Sequence, residues 1–376
     1  MTTRLLKLTL FLCFIFFQNI LLFGQEFNSI IEADKNPAEV KILDLSDNKL
    51  IELPSQISNY KNLEEIDLSS NPNLNLEKAF NILKYNKNLK IIYLQNNKLK
   101  NLPENISEIS TLSELWLDEN EFIEIPKSIY ALKKLQYLRL FSNSISKIIF
   151  NENDFPKLES IDLCYNNFKT FPTDLTKLKS LKYVIMWYSD VEILPKEIGN
   201  FKQLKVLNLE GNNIKKLPKE LAKLKTLEKL SLRNNGLQSS DLKPIWKLIK
   251  LQELEVENNN ISEISTSVAN LKNLKRLSIG INPITNIPKS LSRLSQLEQI
   301  GLVSLKNLNW TETFDILSQI KSLRRIGIPS CNLSVMPKEF EKLTQVKTFW
   351  LNGNSFNNEE KERLKKLLPN AELEFN

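Results

Sequence analysis

Apolar residues recur along this chain in a fixed phase. Written as L-x-x-L-x-L-x-x-N-x-L-x-x-L-P-x-x-I-x-x-L-x-x, the pattern starts at Val40, Leu63, Leu89, Leu112, Leu135, Leu158 and Leu181. It starts again at Leu204, Leu227, Leu251, Leu274, Leu297, Leu323 and Val346. The step is 23 residues, except 26 after Leu63 and Leu297 and 24 after Leu227. The fourth and sixth positions are apolar in all fourteen copies, from Leu43 and Leu45 to Phe349 and Leu351. One residue between two apolar ones is strand spacing, with both side chains on one face. Each copy therefore predicts one short strand. No copy can bury its apolar face alone, so successive strands must stack in parallel into a solenoid.

The ninth position is Asn in eleven copies: Asn48, Asn71, Asn97, Asn120, Asn143, Asn166, Asn212, Asn235, Asn259, Asn282 and Asn354. An amide supplies two donors and an acceptor, enough to satisfy backbone groups that turn inward where the strand ends. These residues read as structural. Ser189, Leu305 and Cys331 break the rule, and Leu305, with no polar atom, predicts a local irregularity. Pro54, Pro103, Pro126, Pro172, Pro195, Pro218, Pro288 and Pro337 follow the next apolar positions. Their fixed φ and missing donor suit a bend into a short outer segment. The longer copies fill that segment differently, and Leu76–Tyr85, Asp241–Ile249 and Glu312–Ile320 read as helices.

These in-phase motifs resemble the leucine-rich repeat family in its short bacterial L-P-x-x-I form, over about residues 40–356. The resemblance implies an α/β leucine-rich repeat solenoid. That is a curved horseshoe with a parallel sheet on its concave face and short helices, 3-10 turns and coil on its convex face. It also implies ligand recognition as the activity.

The ends differ from the array. Arg4 and Lys7 precede an apolar run, Leu8–Phe23, short of the roughly 20 residues of a membrane span. Residues 1–24 read as a secretory signal peptide with Gly24 before the cut, an uncleaved anchor being the alternative, because Leu22 stands where a small residue is usual. Phe27–Glu39, with Phe27, Ile30 and Ile31 at helical spacing, predicts an N-terminal helical cap. Residues 357–376 predict a C-terminal one, acidic at its start, lysine-rich at its end and stopped by Pro369. The mature protein is then expected to be the repeat array, in the cell envelope or secreted.

Charge changes the picture little. The formal net charge is +7, and loss of Arg4 and Lys7 with residues 1–24 leaves +5. Lysines fall on the outer coil, as at Lys133–Lys134 and Lys215–Lys216, which mainly favours solubility. Cys164 and Cys331, seven repeats apart, lie on the order of 30 Å apart at strand spacing, too far for a disulfide. The chain has no histidine and only eight glycines. Histidine-based triads, His-ligated zinc and Gly-rich phosphate loops are thereby excluded. No enzyme, metal site or cofactor is expected, and Cys164, predicted on the concave face between Asp162 and Tyr165, makes a poor nucleophile, because nearby acids raise its pKa.

Function is expected on the concave face, where the third, fifth, seventh and eighth positions point outward. In the third to seventh copies these are aromatic: Tyr93, Trp116, Tyr137, Phe141, Tyr165, Tyr183, Trp187 and Tyr188, with Ile91 and Ile185 among them. Glu114, Asp118, Glu119, Arg139 and Asp162 border them. Exposed rings with a polar rim mark protein interfaces. A protein partner with a basic segment is expected; a glycan or cell-surface polymer stacked on the rings, or a structural envelope role without a dedicated ligand, are the alternatives. Nucleic acid is disfavoured, because no basic stripe with interleaved aromatics lies on the strands. From the eighth copy on, Lys229, Arg233, Glu253, Glu255, Glu257 and Arg276 form a charged stretch, and Gly280, Gly301 and Gly327 bare the sheet.

Overall fold

A computed structural model describes residues 26–375, so the predicted signal peptide lies outside the described residues. Among them, sixteen strands form one open sheet in strict chain order, every neighbouring pair parallel. The fourteen repeat strands occupy the third to fifth positions of each copy, from Ile42–Asp44 to Thr348–Trp350. Equivalent positions pair throughout, as in Ile91↔Glu114 and Tyr93↔Trp116. Every side chain at the fourth and sixth positions is buried. These residues run as one continuous core between the sheet and the outer turns, which is how parallel stacking buries a face no single coil can bury.

Each of the eight prolines sits immediately before a five-residue 3-10 turn on the convex side. The proline carbonyl accepts from the third turn residue, as Pro54 O does from Ile57 N at 3.2 Å. The turn's first residue thus needs no donor from the proline. Where the step lengthens by three residues, the turn becomes an α-helix, Leu76–Leu83 or Trp310–Ser318, each N-capped by an Asn side chain. The helix expected over Asp241–Ile249 does not form. Two 3-10 turns, Ser239–Leu242 and Ile245–Lys247, flank Pro244 instead. One extra residue does not make room for a helix, and the proline ring would clash with the preceding turn.

The asparagines form a ladder across the coils. Asn120 Nδ2 donates to the carbonyls of Leu94 (2.9 Å), Leu117 and Asp118 (both 3.0 Å), and its Oδ1 accepts from the N–H groups of Asn97 and Leu99 (both 3.0 Å). Ser189 Oγ keeps one rung, to Leu163 O at 2.9 Å, and Cys331 Sγ lies 3.2 Å from Leu302 O. At Leu305 the rung is missing, and its N–H turns to Leu302 O at 3.4 Å. The irregularity stays within the turn, because the strands on either side keep their register.

The N-terminal end differs from expectation. Strand Glu26–Phe27 extends the sheet, and only one helical turn follows, Ile30–Ala33. Phe27 reaches the core from the strand, while Ile31 is exposed. At the other end, helix Asn358–Leu367 and strand Glu372–Glu374 close the array.

Replacing Asn120 by Ala leaves buried carbonyls and two N–H groups unmatched, and should destabilise the protein by about 3 kcal/mol. Asn48 is exposed and, among the described residues, its side chain bonds Ser46 O alone, so Asn48→Ala should change stability by about 0.5 kcal/mol or less. Urea unfolding of the two variants beside the parent checks this. Equal effects would remove the ladder's structural role.

Candidate functional site

The regular register brings the aromatic side chains of the third to seventh copies together on the concave face. Tyr93, Trp116 and Tyr137 follow one another across adjacent strands, with ring centroids 5.2 and 5.4 Å apart. Phe141, Tyr165, Trp187 and Tyr188 make a second group, with contacts of 5.1 to 6.0 Å. Arg139 joins the two groups. Its guanidinium lies 4.9 Å from the Trp116 ring centroid and 5.4 Å from that of Phe141, a cation–π arrangement on both sides. Tyr183 lies half-buried at the strand start of the seventh copy.

Beneath the rings, charge is matched internally. Arg139 Nε stands 3.2 Å from carboxylate oxygens of both Asp118 and Asp162, and all three residues are buried. One guanidinium balances one carboxylate. Burial pushes the Asp118 carboxyl up to about 8, Arg139 drawing it back and Asp162 adding to the rise. Burial also raises Glu114, partly offset by the nearby Trp116 side chain. The Tyr93 and Tyr137 hydroxyls are likewise pushed up by burial and nearby carboxylates, so both remain neutral donors.

Not every expected contact residue is therefore accessible. Asp118, Arg139, Asp162 and Ile185 are covered, as is Cys164, which was expected on the open face. Phe141 and Trp187, at the seventh position of the copies flanking Cys164, touch at 6.0 Å and close over it. Strands only about 4.8 Å apart let large rings lean across shorter neighbours. Burial raises the Cys164 thiol well above its usual value, which disfavours the thiolate. Glu119 remains exposed, and Tyr93, Glu114, Trp116, Tyr137, Phe141, Tyr183 and Trp187 are half-buried.

Tyr165 and Tyr188 stand out. They are 44% and 42% exposed and stack at 5.4 Å with rings 19° apart. Both have left-handed backbone, with φ of 52° and 51°. The eighth position is left-handed in all fourteen copies, and Asn, Asp, Ser or Gly fills it in ten of them. Asn, Asp and Gly tolerate this conformation best, and a bulky residue is disfavoured there. The repeat consensus leaves this position unspecified, so the sequence reading missed the constraint. It also missed Gly211, at the eighth position of the next copy. A Cβ there would come within 2.5 Å of the Tyr188 ring, so the glycine makes room for it. Asn234 Nδ2 reaches the Tyr188 hydroxyl at 3.3 Å.

The charged half of the face is self-paired. Lys229 meets Glu253 at 3.0 Å and Arg233 meets Glu257 at 3.0 Å. Among the described residues no acid cluster is arranged to hold a metal ion. Gly280 does not bare the sheet, because Val303 lies over it. Trp350 donates to Glu374 at 3.1 Å. On the convex side, a cavity of about 1230 Å³ opens where helix Trp310–Ser318 stands beside shorter turns, with a mixed lining that includes Lys289, Arg293, Glu312 and Asp315.

Family comparison matches residues 140–237 to a leucine-rich repeat region and 249–307 to a leucine rich repeat. A leucine-rich repeat protein of Leptospira interrogans is 31% identical, covering 93% of this chain and 100% of its own, with a TM-score of 0.74. The chain belongs to the leucine-rich repeat family. Members generally serve as non-enzymatic protein-interaction scaffolds. An internalin from Listeria monocytogenes shares the fold at 21% identity, covering 77% of this chain and 81% of its own, with a TM-score of 0.57. TLR13, solved in complex with ssRNA13, shares it at 19% identity, covering 90% of this chain and 54% of its own, with a TM-score of 0.69. No curated protein matches. Among the described residues, no helix of this leucine-rich repeat protein is long and apolar enough to cross a membrane.

The buried acid pair has a pH signature. The folded protein keeps on Asp118 a proton that the unfolded chain releases near pH 4. Between about pH 4 and 8 the folded state thus binds more protons, and this group's contribution to stability falls as pH rises. Asp118→Asn holds the neutral form and keeps an acceptor for Phe141 N, which Asp118 Oδ1 meets at 3.2 Å. The variant should gain on the parent by on the order of 2 kcal/mol between pH 5 and pH 8. Urea midpoints at the two pH values measure the gain, and a constant difference would refute it.

Proposed function

We propose that this is an exported, non-enzymatic recognition protein that grips a protein partner on its concave face between Tyr93 and Tyr188. The carrying observation is the pair Tyr165 and Tyr188. Both rings are exposed, and both occupy a backbone position that disfavours them. Unfavourable conformation and exposure together, at neighbouring copies, are features that fold stability alone does not select. Trp187 packs against both rings, Phe141 against Tyr165 and Asn234 against the Tyr188 hydroxyl, so less rotamer freedom is left to lose on binding. Glu114 and Glu119 are the acids left to meet a basic segment of the partner, since Asp118 and Asp162 are engaged by Arg139. The export reading rests on the basic and apolar pattern of residues 1–24.

Exchange of both tyrosines for Asn, the residue of the eighth position in the third, ninth and tenth copies, separates binding from folding. Tyr165→Asn with Tyr188→Asn relieves an unfavourable φ at two sites, so the melting temperature should stay level or rise. Loss of two aromatic anchors should weaken partner capture at least about ten-fold. Residues 25–376 and the variant are used to capture partners from envelope extracts, with mass spectrometry and then binding titration. Undiminished capture by the folded variant would defeat the proposal, as would a large loss of stability, which would make the rings structural.

A further inference from the structure

One edge of the sheet carries a charge that the net value hides. In every copy, the two residues before the repeat start and its first two residues lead into the strand. Parallel, in-register pairing places all of these along the same edge. Across fourteen copies this edge holds eighteen Lys or Arg and five Glu, a net of +13 against +7 for the whole chain, so everything else sums to −6. The tenth to thirteenth positions, on the edge where the strands end, hold eight bases and six acids. The imbalance therefore belongs to one edge and not to composition.

The bases on this edge are accessible. Sixteen of the eighteen are exposed, among them Lys87, Lys133, Lys134, Lys202 and Lys272. Three edge glutamates are taken up within the edge itself, by Lys90, Lys182 and Lys205. Several of the remaining ammonium groups lie against backbone carbonyls of the preceding convex turn or helix end, as Lys61 does on Ser58 O at 2.7 Å, Lys133 on Tyr130 O at 3.0 Å and Lys87 on Lys84 O at 2.8 Å. Their stems are thus held in a row at the strand spacing of about 4.8 Å. The stacking rings that a base or sugar would need are on the concave face, so this edge offers charge and no aromatic platform.

We infer that the strand-entry edge is a docking surface for an anionic lipid bilayer. A row of bases at one level along an edge suits a plane of headgroups, where each base near the surface contributes favourably and the attraction fades beyond a Debye length. Docked in this way, the protein stands on its edge, with the concave rings facing sideways and open to a partner.

Co-sedimentation of residues 25–376, which span the whole sheet and both end covers, with phosphatidylcholine vesicles with and without about a third phosphatidylserine tests this. Binding is expected only to the anionic vesicles and should be lost in 0.5 M salt, roughly a 4 Å Debye length. Changing Lys133, Lys134, Lys202 and Lys272 to Glu should weaken it at least about ten-fold. The same change at Lys98, Lys100, Lys215 and Lys216, on the opposite edge, should alter it less than about two-fold. The two tyrosine substitutions should leave it intact, which keeps this test separate from that of the concave site. Equal loss from both edges would reduce the effect to net charge and overturn the inference. So would tighter binding to heparin or single-stranded oligonucleotide than to vesicles, which would make the edge a track for a linear polyanion. Circular dichroism of each variant confirms that folding is unchanged.

Discussion

Everything in this fold depends on the inability of a single coil to satisfy its own backbone. Where each strand ends, N–H and C=O groups turn inward, and a buried group left unmatched costs about 1–3 kcal/mol. The side-chain amides answer that demand across coils. Asn166 donates to Leu140 in the preceding copy as well as to Leu163 and Cys164 in its own. The reciprocal bond fixes how far apart coils sit and in what register. Apolar burial then follows, because fourth- and sixth-position residues meet their equivalents in the next coil at that same spacing.

Fixed register also explains how the concave face is built. With interior positions committed to the core and ladder, the third, fifth, seventh and eighth are left to chemistry. Neighbours along a column are always equivalent positions, so an aromatic at the fifth position of one copy finds Trp116 or Arg139 beside it instead of water. Arg139 is the joint of this surface. The carboxyl groups of Asp118 and Asp162 hold it from below, and rings lie on either side. A guanidinium suits that place better than an ammonium, because its planar face stacks while its edge meets carboxylates. The convex side is less constrained, and both its helices and its cavity arise where the step lengthens.

The repeat pattern made strands, ladder and proline turns legible, because each answers a local rule with a fixed period. It was less informative where outcomes depend on neighbours in space. Alternation put Cys164, Asp162 and Ile185 on the concave face, but their burial depends on the size of residues one coil away. The helix expected over Asp241–Ile249 failed on a single proline and a single inserted residue. Periodicity gives direction but not φ, so the left-handed eighth position stayed hidden, although the run of Asn, Asp, Ser and Gly there was visible as composition. The edge charge was present in the sequence too, but reads as scattered lysines until register lines them up.

The left-handed eighth position has a consequence for how such a protein changes over generations. Substitutions at the third, fifth and seventh positions meet no common backbone requirement, so specificity can drift there with little penalty to folding. The eighth position filters what mutation supplies, admitting Asn, Ser, Asp and Gly readily and tyrosine poorly. Chance alone would carry such a site back toward the small polar residues. Tyr165 and Tyr188 stand at two such filtered sites in adjacent copies, where the backbone itself works against them.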